Sequence, residues 1–354
     1  LLQLGAGGLV VAAGVGGAAD PAAMAQGGGR IKEYWIQVDS FHWNVVPNGK
    51  DNMMGMTFTP EQTSYHALGY RAYTPGWKKP LPGNDDIGPN TGVPGPIIRG
   101  QVGDTIKIHF RNNDTKWKFP YSMHPHGVEY GNDSDGAWLA DDPDRPGTAI
   151  PPGGEYTYTW RCVPSSVGTW VYHDHSKPMP NLSLPPDGGH GEHGAHSSSE
   201  HRATMQAAAE KMPVMELAVM MGLYGFVVVT DAKTKPVDRE FFLFLSEFWT
   251  TLMPVKTNMM GFNGYAFVDN TPTLTARVGQ RVRWHIGTLG LLPHVFHVHG
   301  HRWHDGKRYV DSEAIEASET LVLEWVEDNP GKWLYHCHYA DHMAMGMAGR
   351  YVVS

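Results

Sequence analysis

From Arg30 onward the hydrophobic positions of the chain fall in short runs of β-branched and aromatic residues. The runs at 106–110 (Ile-Lys-Ile-His-Phe), 156–160 (Tyr-Thr-Tyr-Thr-Trp) and 225–230 (Gly-Phe-Val-Val-Val-Thr) read as strands. Turns rich in Gly and Pro, such as Pro151-Pro152-Gly153-Gly154, separate them. The polar stretch 231–237, with Lys233, Lys235 and Pro236, reads as a linker. Beyond it the plan repeats, with strands expected at 241–245, 274–284, 321–325, 333–338 and 349–353. Val102-Gly103-Asp104-Thr105-Ile106 has a counterpart in Val278-Gly279-Gln280-Arg281-Val282, and each leads into a strand and then a His cluster. The pattern predicts an all-β chain of two related β-sandwiches, one over 30–232 and one over 237–354.

Two segments depart from it. Residues 1–19 are small, apolar and uncharged, and Ala23-Met24-Ala25 has the form of a signal-peptidase site. Residues 1–29 therefore read as a signal-like or flexible segment, and the protein as secreted or periplasmic. A surface-packed arm is the alternative. The segment is too rich in Gly and Ala for a membrane span, and no membrane partner is expected. The second departure is an insertion at about 183–215. It carries His190, His193, His196 and His201 among Gly and Ser, then Met205, Met212 and Met215. Its first part reads as a loop and 199–211 as a short helix.

Composition narrows the chemistry. With 28 Lys+Arg against 36 Asp+Glu, the 354-residue chain has a net charge of −8 and does not suit general nucleic-acid binding. Two cysteines cannot make a disulfide framework. The distinguishing counts are 20 His and 17 Met, which point to a redox metal.

The histidines cluster as His124-Pro-His126, His173-Asp-His175, His294-Val-Phe-His297-Val-His299, and His336-Cys-His338 followed by His342 and Met347. In a strand, residues two apart face the same way, so each His-x-His presents two imidazoles on one face. Cys337 then faces opposite to His336 and His338. It can join His294, whose parity is opposite to that of His297 and His299, together with His342. Two His, one Cys and a weak axial thioether from Met347 define a blue-copper electron-transfer site.

These motifs (His-Pro-His-Gly, His-x-His, His-x-x-His-x-His and His-Cys-His-x-x-x-His-x-x-x-Gly-Met) resemble the copper-binding motifs of multicopper oxidases. Over 96–354 the chain resembles the bacterial two-domain small laccases, which implies two cupredoxin-like Greek-key β-sandwich domains. The resemblance implies type 1 copper at His294, Cys337, His342 and Met347, and type 2 copper at His124 and His297. The type 3 pair would take His126, His173, His175, His299, His336 and His338, for about four coppers per chain. It also implies dioxygen as oxidant, a phenol or aromatic amine as reductant, and a homotrimer. Asp135 would relay protons and Tyr130 would lie near the trinuclear site; a turn residue and a core aromatic are the plain alternatives. Asp174 stands where a type 1 Cys would sit, so the first domain is expected to lack a blue site. A cuprous oxidase is the main alternative, suggested by the His/Met insertion, and copper nitrite reductase is a lesser one. Cys162 reads as a buried small apolar residue. His42, His66, His109, His285, His301 and His304 read as ordinary surface or core residues, and Met253, Met259 and Met260 as packing or pocket lining.

Overall fold

The computed structural model describes residues 29–83, 90–183 and 214–354. The signal-like segment through residue 28, His190, His193, His196, His201, Met205 and Met212, and the helix expected at 199–211 lie outside the described residues.

The described chain forms two β-sandwiches of the same plan. The first packs a five-stranded sheet, in the order Ser64–Tyr73, Ile31–Asn44, Thr105–Asn112, Glu155–Arg161, Glu129–Tyr130, against a second sheet. That sheet runs Ile98–Gln101, Tyr224–Thr230, Gly168–His173, His124–Pro125. In the other sandwich the order is Tyr265–Ala266, Met259–Phe262, Arg239–Phe248, Arg281–Thr288, Thr320–Val326, packed on Thr273–Ala276, Ala348–Val353, Gly331–Cys337, His294–Val298, Ser312–Ile315. Both halves pair their first long strand in parallel with the same successor, Ile31–Asn44 with Thr105–Asn112 and Arg239–Phe248 with Arg281–Thr288. Each is a cupredoxin-like Greek key, so the weak sequence repeat is a repeat of topology.

Burial explains the strand patterns. Along Thr105–Asn112 buried and half-buried residues alternate, because only one face meets a core. Arg239–Phe248 is instead buried continuously from Phe241. Phe241, Leu243 and Leu245 fill the core of the second sandwich, while Phe242, Phe244 and Phe248 belong to a core shared with the first. Tyr224 stacks on Phe244 at 3.8 Å there, and Trp43 Nε1–H donates to the Gly264 carbonyl at 2.7 Å. One expectation fails: 274–284 is two strands, Thr273–Ala276 and Arg281–Thr288. Gly279 turns the chain between them at φ 89°, and Gln280 N–H donates to the Arg277 carbonyl at 3.1 Å.

A polar network also crosses between the sandwiches. Buried His285 takes a hydrogen bond from the Thr169 hydroxyl (2.6 Å) at Nδ1 and donates from Nε2 to Glu240 (3.2 Å). The other Glu240 oxygen receives Arg99 at 2.8 Å. Burial alone would raise the Glu240 carboxyl, but the His285 hydrogen bond and the Arg99 charge outweigh it and hold the group at about 2. A depressed carboxyl stabilises the fold above its unfolded pKa and loses that contribution as pH falls towards the folded value. Burial also lowers the His285 pKa, which weakens the fold in the same direction as pH falls. Glu240→Gln is expected to cost of the order of 2 kcal/mol at pH 6 and to flatten the loss of urea stability between pH 6 and pH 3. Equal pH slopes in the two proteins would show that the carboxylate contributes nothing.

Candidate metal centre

Each sandwich brings four histidines to one end. In the first, His124 lies directly across from His173, and in the second His297 lies across from His336. The two-residue period then adds His126 and His175 to one set, and His299 and His338 to the other. Five of the six ring pairs in each set have centroids 5.1–5.8 Å apart. His126 Nε2 lies 3.1 Å from His173 Nε2, and His299 Nε2 lies 3.1 Å from His336 Nε2. Among the described residues His124, His126 and His173 form one candidate metal-holding group, and His297, His299 and His336 another.

Backbone carbonyls fix the tautomers. His124 Nδ1–H donates to the Asp135 carbonyl (2.6 Å) and His297 Nδ1–H to that of Asp311 (2.5 Å). His173 Nδ1–H donates to the Asp174 carbonyl (2.9 Å) and His336 Nδ1–H to that of Cys337 (2.8 Å). A carbonyl can only accept, so Nδ1 carries the proton and Nε2 is left as a bare donor atom. Burial lowers the pKa of His124, His299 and His336, and takes His126 to about 4 and His173 to about 3. Neutral rings are what metal binding requires.

The third group is buried behind the second quartet. Cys337 Sγ lies 3.4 Å from His342 Nδ1 and 3.8 Å from His294 Nδ1, and the two Nδ1 atoms are 3.1 Å apart. Met347 is fully buried in the same core as Cys337, and its carbonyl accepts the Cys337 N–H at 3.1 Å. At the matching place in the first sandwich, buried Asp174 Oδ1 accepts the Ser122 N–H at 2.8 Å, much as Cys337 Sγ faces the Val295 N–H at 3.4 Å. Burial raises Asp174 to about 7.

Around these groups the structure supplies polar support. Asp135 Oδ1 lies 3.3 Å from His124 Nδ1, its other oxygen is 3.0 Å from Arg145, and Tyr130 meets the His124 ring edge-on at 5.9 Å. Sequence reasoning missed Arg145 and, more notably, Glu247. That carboxylate is 4% exposed, lies 3.3 Å from His294 Nε2, and accepts from Trp249 Nε1 (2.8 Å) and Leu292 N–H (3.1 Å). Burial raises its pKa, but the His294, Trp249 and Leu292 contacts outweigh that and lower it. Its signal was a lone carboxylate inside the apolar run 241–249. His294 is fully buried and His342 nearly so, with half-exposed Tyr339 packed on His342 at 5.1 Å.

Other described histidines are held by protein contacts. His301 donates from Nδ1 to the His299 carbonyl (2.7 Å) and pairs with buried Glu327 (3.0 Å), while His109 stacks on Trp35. Met253, Met259 and Met260 are core residues, and Cys162 is a free buried thiol whose pKa burial lifts to about 11.

The donor sets fit copper. Two nitrogens bound at about 2 Å to one ion sit roughly 3–3.5 Å apart, as the paired Nε2 atoms do. The thiol with two Nδ1 atoms is the trigonal set of a blue-copper centre. His175 Nδ1 is buried without a hydrogen-bond partner, as a ligand atom would be.

A cupredoxin pair carrying these ligand sets defines a copper oxidoreductase. Two family models, both described as "Multicopper oxidase", match residues 75–192 and 245–354, together more than half of the chain. The chain belongs to the multicopper oxidase family. It is 28% identical to the human protein "Ferroxidase HEPHL1", over 91% of this chain and 29% of that protein. It is also 28% identical to a "Probable nitrite reductase-hydroxylamine oxidoreductase fusion protein" of Kuenenia stuttgartiensis, over 74% of this chain and 27% of the relative. The chain thus spans under a third of the length of these curated relatives. A solved multicopper oxidase shares the fold with a TM-score of 0.62 at 20% identity, covering 92% of this chain and 89% of that one. The blue copper oxidase from Nitrosomonas europaea does so at 0.59 and 18%, covering 92% and 86%.

Proposed function

We propose that the protein is a laccase-type oxidase, taking electrons singly from phenols or aromatic amines and reducing dioxygen to water. One observation carries this reading: Cys337 lies in the mononuclear group while its chain neighbours His336 and His338 lie in a quartet. A covalent path therefore joins electron entry to the site of dioxygen chemistry. His294, Cys337, His342 and Met347 would hold the type 1 ion. His124 and His297 would hold the type 2 ion, and the other six histidines the type 3 pair. Bound copper would supply the one-electron steps and the four-electron reduction. Burial favours the neutral form of His124, His126, His173, His299 and His336, the fold keeps Cys337 dry, and the Asp135 carboxylate stands beside His124 for proton delivery. An exported location belongs to the same proposal and rests on the signal-like run at 1–25. Among the described residues no helix is long and apolar enough to cross a membrane.

His124, His126 and His173 group apart from His297, His299 and His336 within one chain, so assembly is part of the proposal: each quartet would meet its complement on the next subunit of a closed trimer. A second reading, oxidation of a metal ion such as Cu(I), is favoured by Glu247, an anionic group against His294. The human relative's name, a ferroxidase, points the same way. Copper quantitation with an optical spectrum, followed by oxygen uptake on a phenol and on Cu(I), tests both. Uptake with the phenol supports the laccase reading; uptake with Cu(I) alone replaces it with the second.

Asp135→Asn keeps the carbonyl contact to His124 but cannot relay a proton. It is expected to lower steady-state oxygen uptake about 10–100-fold. Anaerobic bleaching of the blue absorption by reductant should keep its wild-type rate. Equal slowing of both steps would assign Asp135 a purely structural role.

A further inference from the structure

Methionine is usually buried, and among the described residues four are more than a third exposed. Three of these share one loop: Met53 (36%), Met54 (59%) and Met56 (40%). The loop is a built turn. Lys50 bridges Thr57 at its base, Asp51 N–H donates to the Met56 carbonyl (2.9 Å), and Gly55 N–H donates to that of Asp51 (2.9 Å). The Asp51 carboxylate, 2% exposed, accepts the N–H groups of Met53 (2.8 Å) and Met54 (3.1 Å). Its charge is therefore committed to the backbone, leaving thioethers as the outward chemistry.

The loop is pinned to the second sandwich. Asn52 Nδ2 donates to Asp269 (2.8 Å), Asn270 Nδ2 donates to the Lys50 carbonyl (3.0 Å), and Phe58 stacks on Phe267 at 4.8 Å. Phe267 N–H in turn donates to the carbonyl of Gly346 (2.7 Å), the residue before Met347. The three methionines thus stand on the segment that supports the mononuclear group. From Met53 to Met56 the backbone spans at most about 10–11 Å. Three flexible thioether arms can converge on one point across that distance. Exposed apolar side chains on an ordered turn contribute little to a core, whereas thioether sulfur is a soft ligand that selects Cu(I) over hard cations.

We propose that the 51–56 loop is a thioether site for a single cuprous ion, separate from the copper centres above. The binding stands without the metal-ion reading of function and depends on it only for any later oxidation of the ion. Silver(I), a redox-inert stand-in, is titrated by calorimetry into copper-loaded protein. The comparison is a variant carrying Met53→Leu, Met54→Leu and Met56→Leu, which keeps the apolar bulk and removes the sulfur. The wild type is expected to bind one Ag(I) that the variant loses or holds at least ~tenfold more weakly, with thermal unfolding unchanged. Equal stoichiometry and affinity in the two proteins would overturn the site and leave the loop an apolar surface. A protein without blue absorption that still loses one Ag(I) on substitution would count against the oxidase reading and leave the loop site standing.

Discussion

Cys337→Ser is expected to give a colourless, folded protein whose oxygen uptake falls by roughly three orders of magnitude or more. Serine is close in size, and its oxygen can be accommodated where Sγ sits 3.4 Å from His342 Nδ1. It is a hard ligand, however, and cannot supply the soft thiolate that gives a blue centre its colour and its electron path. The quartet histidines on either side of position 337 are untouched, so most of the copper should remain. Copper counting, the visible spectrum and circular dichroism on one preparation decide the matter. Retained blue colour would remove Cys337 from the mononuclear site, whereas loss of all copper with unfolding would make the thiol structural.

Mixing two dead variants is expected to restore activity. His126→Ala with His173→Ala disables the first quartet, and His299→Ala with His336→Ala disables the second. Each variant alone should be inactive, because in the proposed trimer one half of each shared site would be missing. In a mixed trimer, an intact first quartet from one subunit meets an intact second quartet from its neighbour. Random reassembly makes about three quarters of the trimers mixed, each with one intact site in three, so about a quarter of wild-type uptake should return. The subunit lending the second quartet also carries its own Cys337, so electron entry is preserved. Light scattering should confirm the trimer, and no recovery from a confirmed mixed trimer would place the eight histidines within one chain.

Much of the site was legible because a strand repeats every two residues. His124-Pro-His126 and His336-Cys-His338 announce their facing imidazoles, and the parity of Cys337 against His336 forecasts the buried thiol among His294 and His342. The division at 277–280 was hidden because the alternation of apolar and polar residues runs on through 274–284 and does not show where the chain turns, which it does at Gly279. Glu247 was hidden for another reason: its meaning depends on His294, which is distant in sequence and meets it only in the folded chain. The same holds for His285, ordinary by itself and decisive beside Thr169 and Glu240. Exposure of Met53, Met54 and Met56 is likewise a tertiary fact, since composition counts methionines without saying which remain outside.

The strand Arg239–Phe248 has one face in each of two cores. Phe242, Phe244 and Phe248 would be laid bare if the second sandwich were produced alone, and the halves cannot be traded as independent modules. During synthesis the first sandwich emerges first with Tyr224 and Phe226 unpaired until this strand arrives. A protease cut in the turn 231–238 of the finished protein should therefore leave two fragments that co-elute and part only in denaturant.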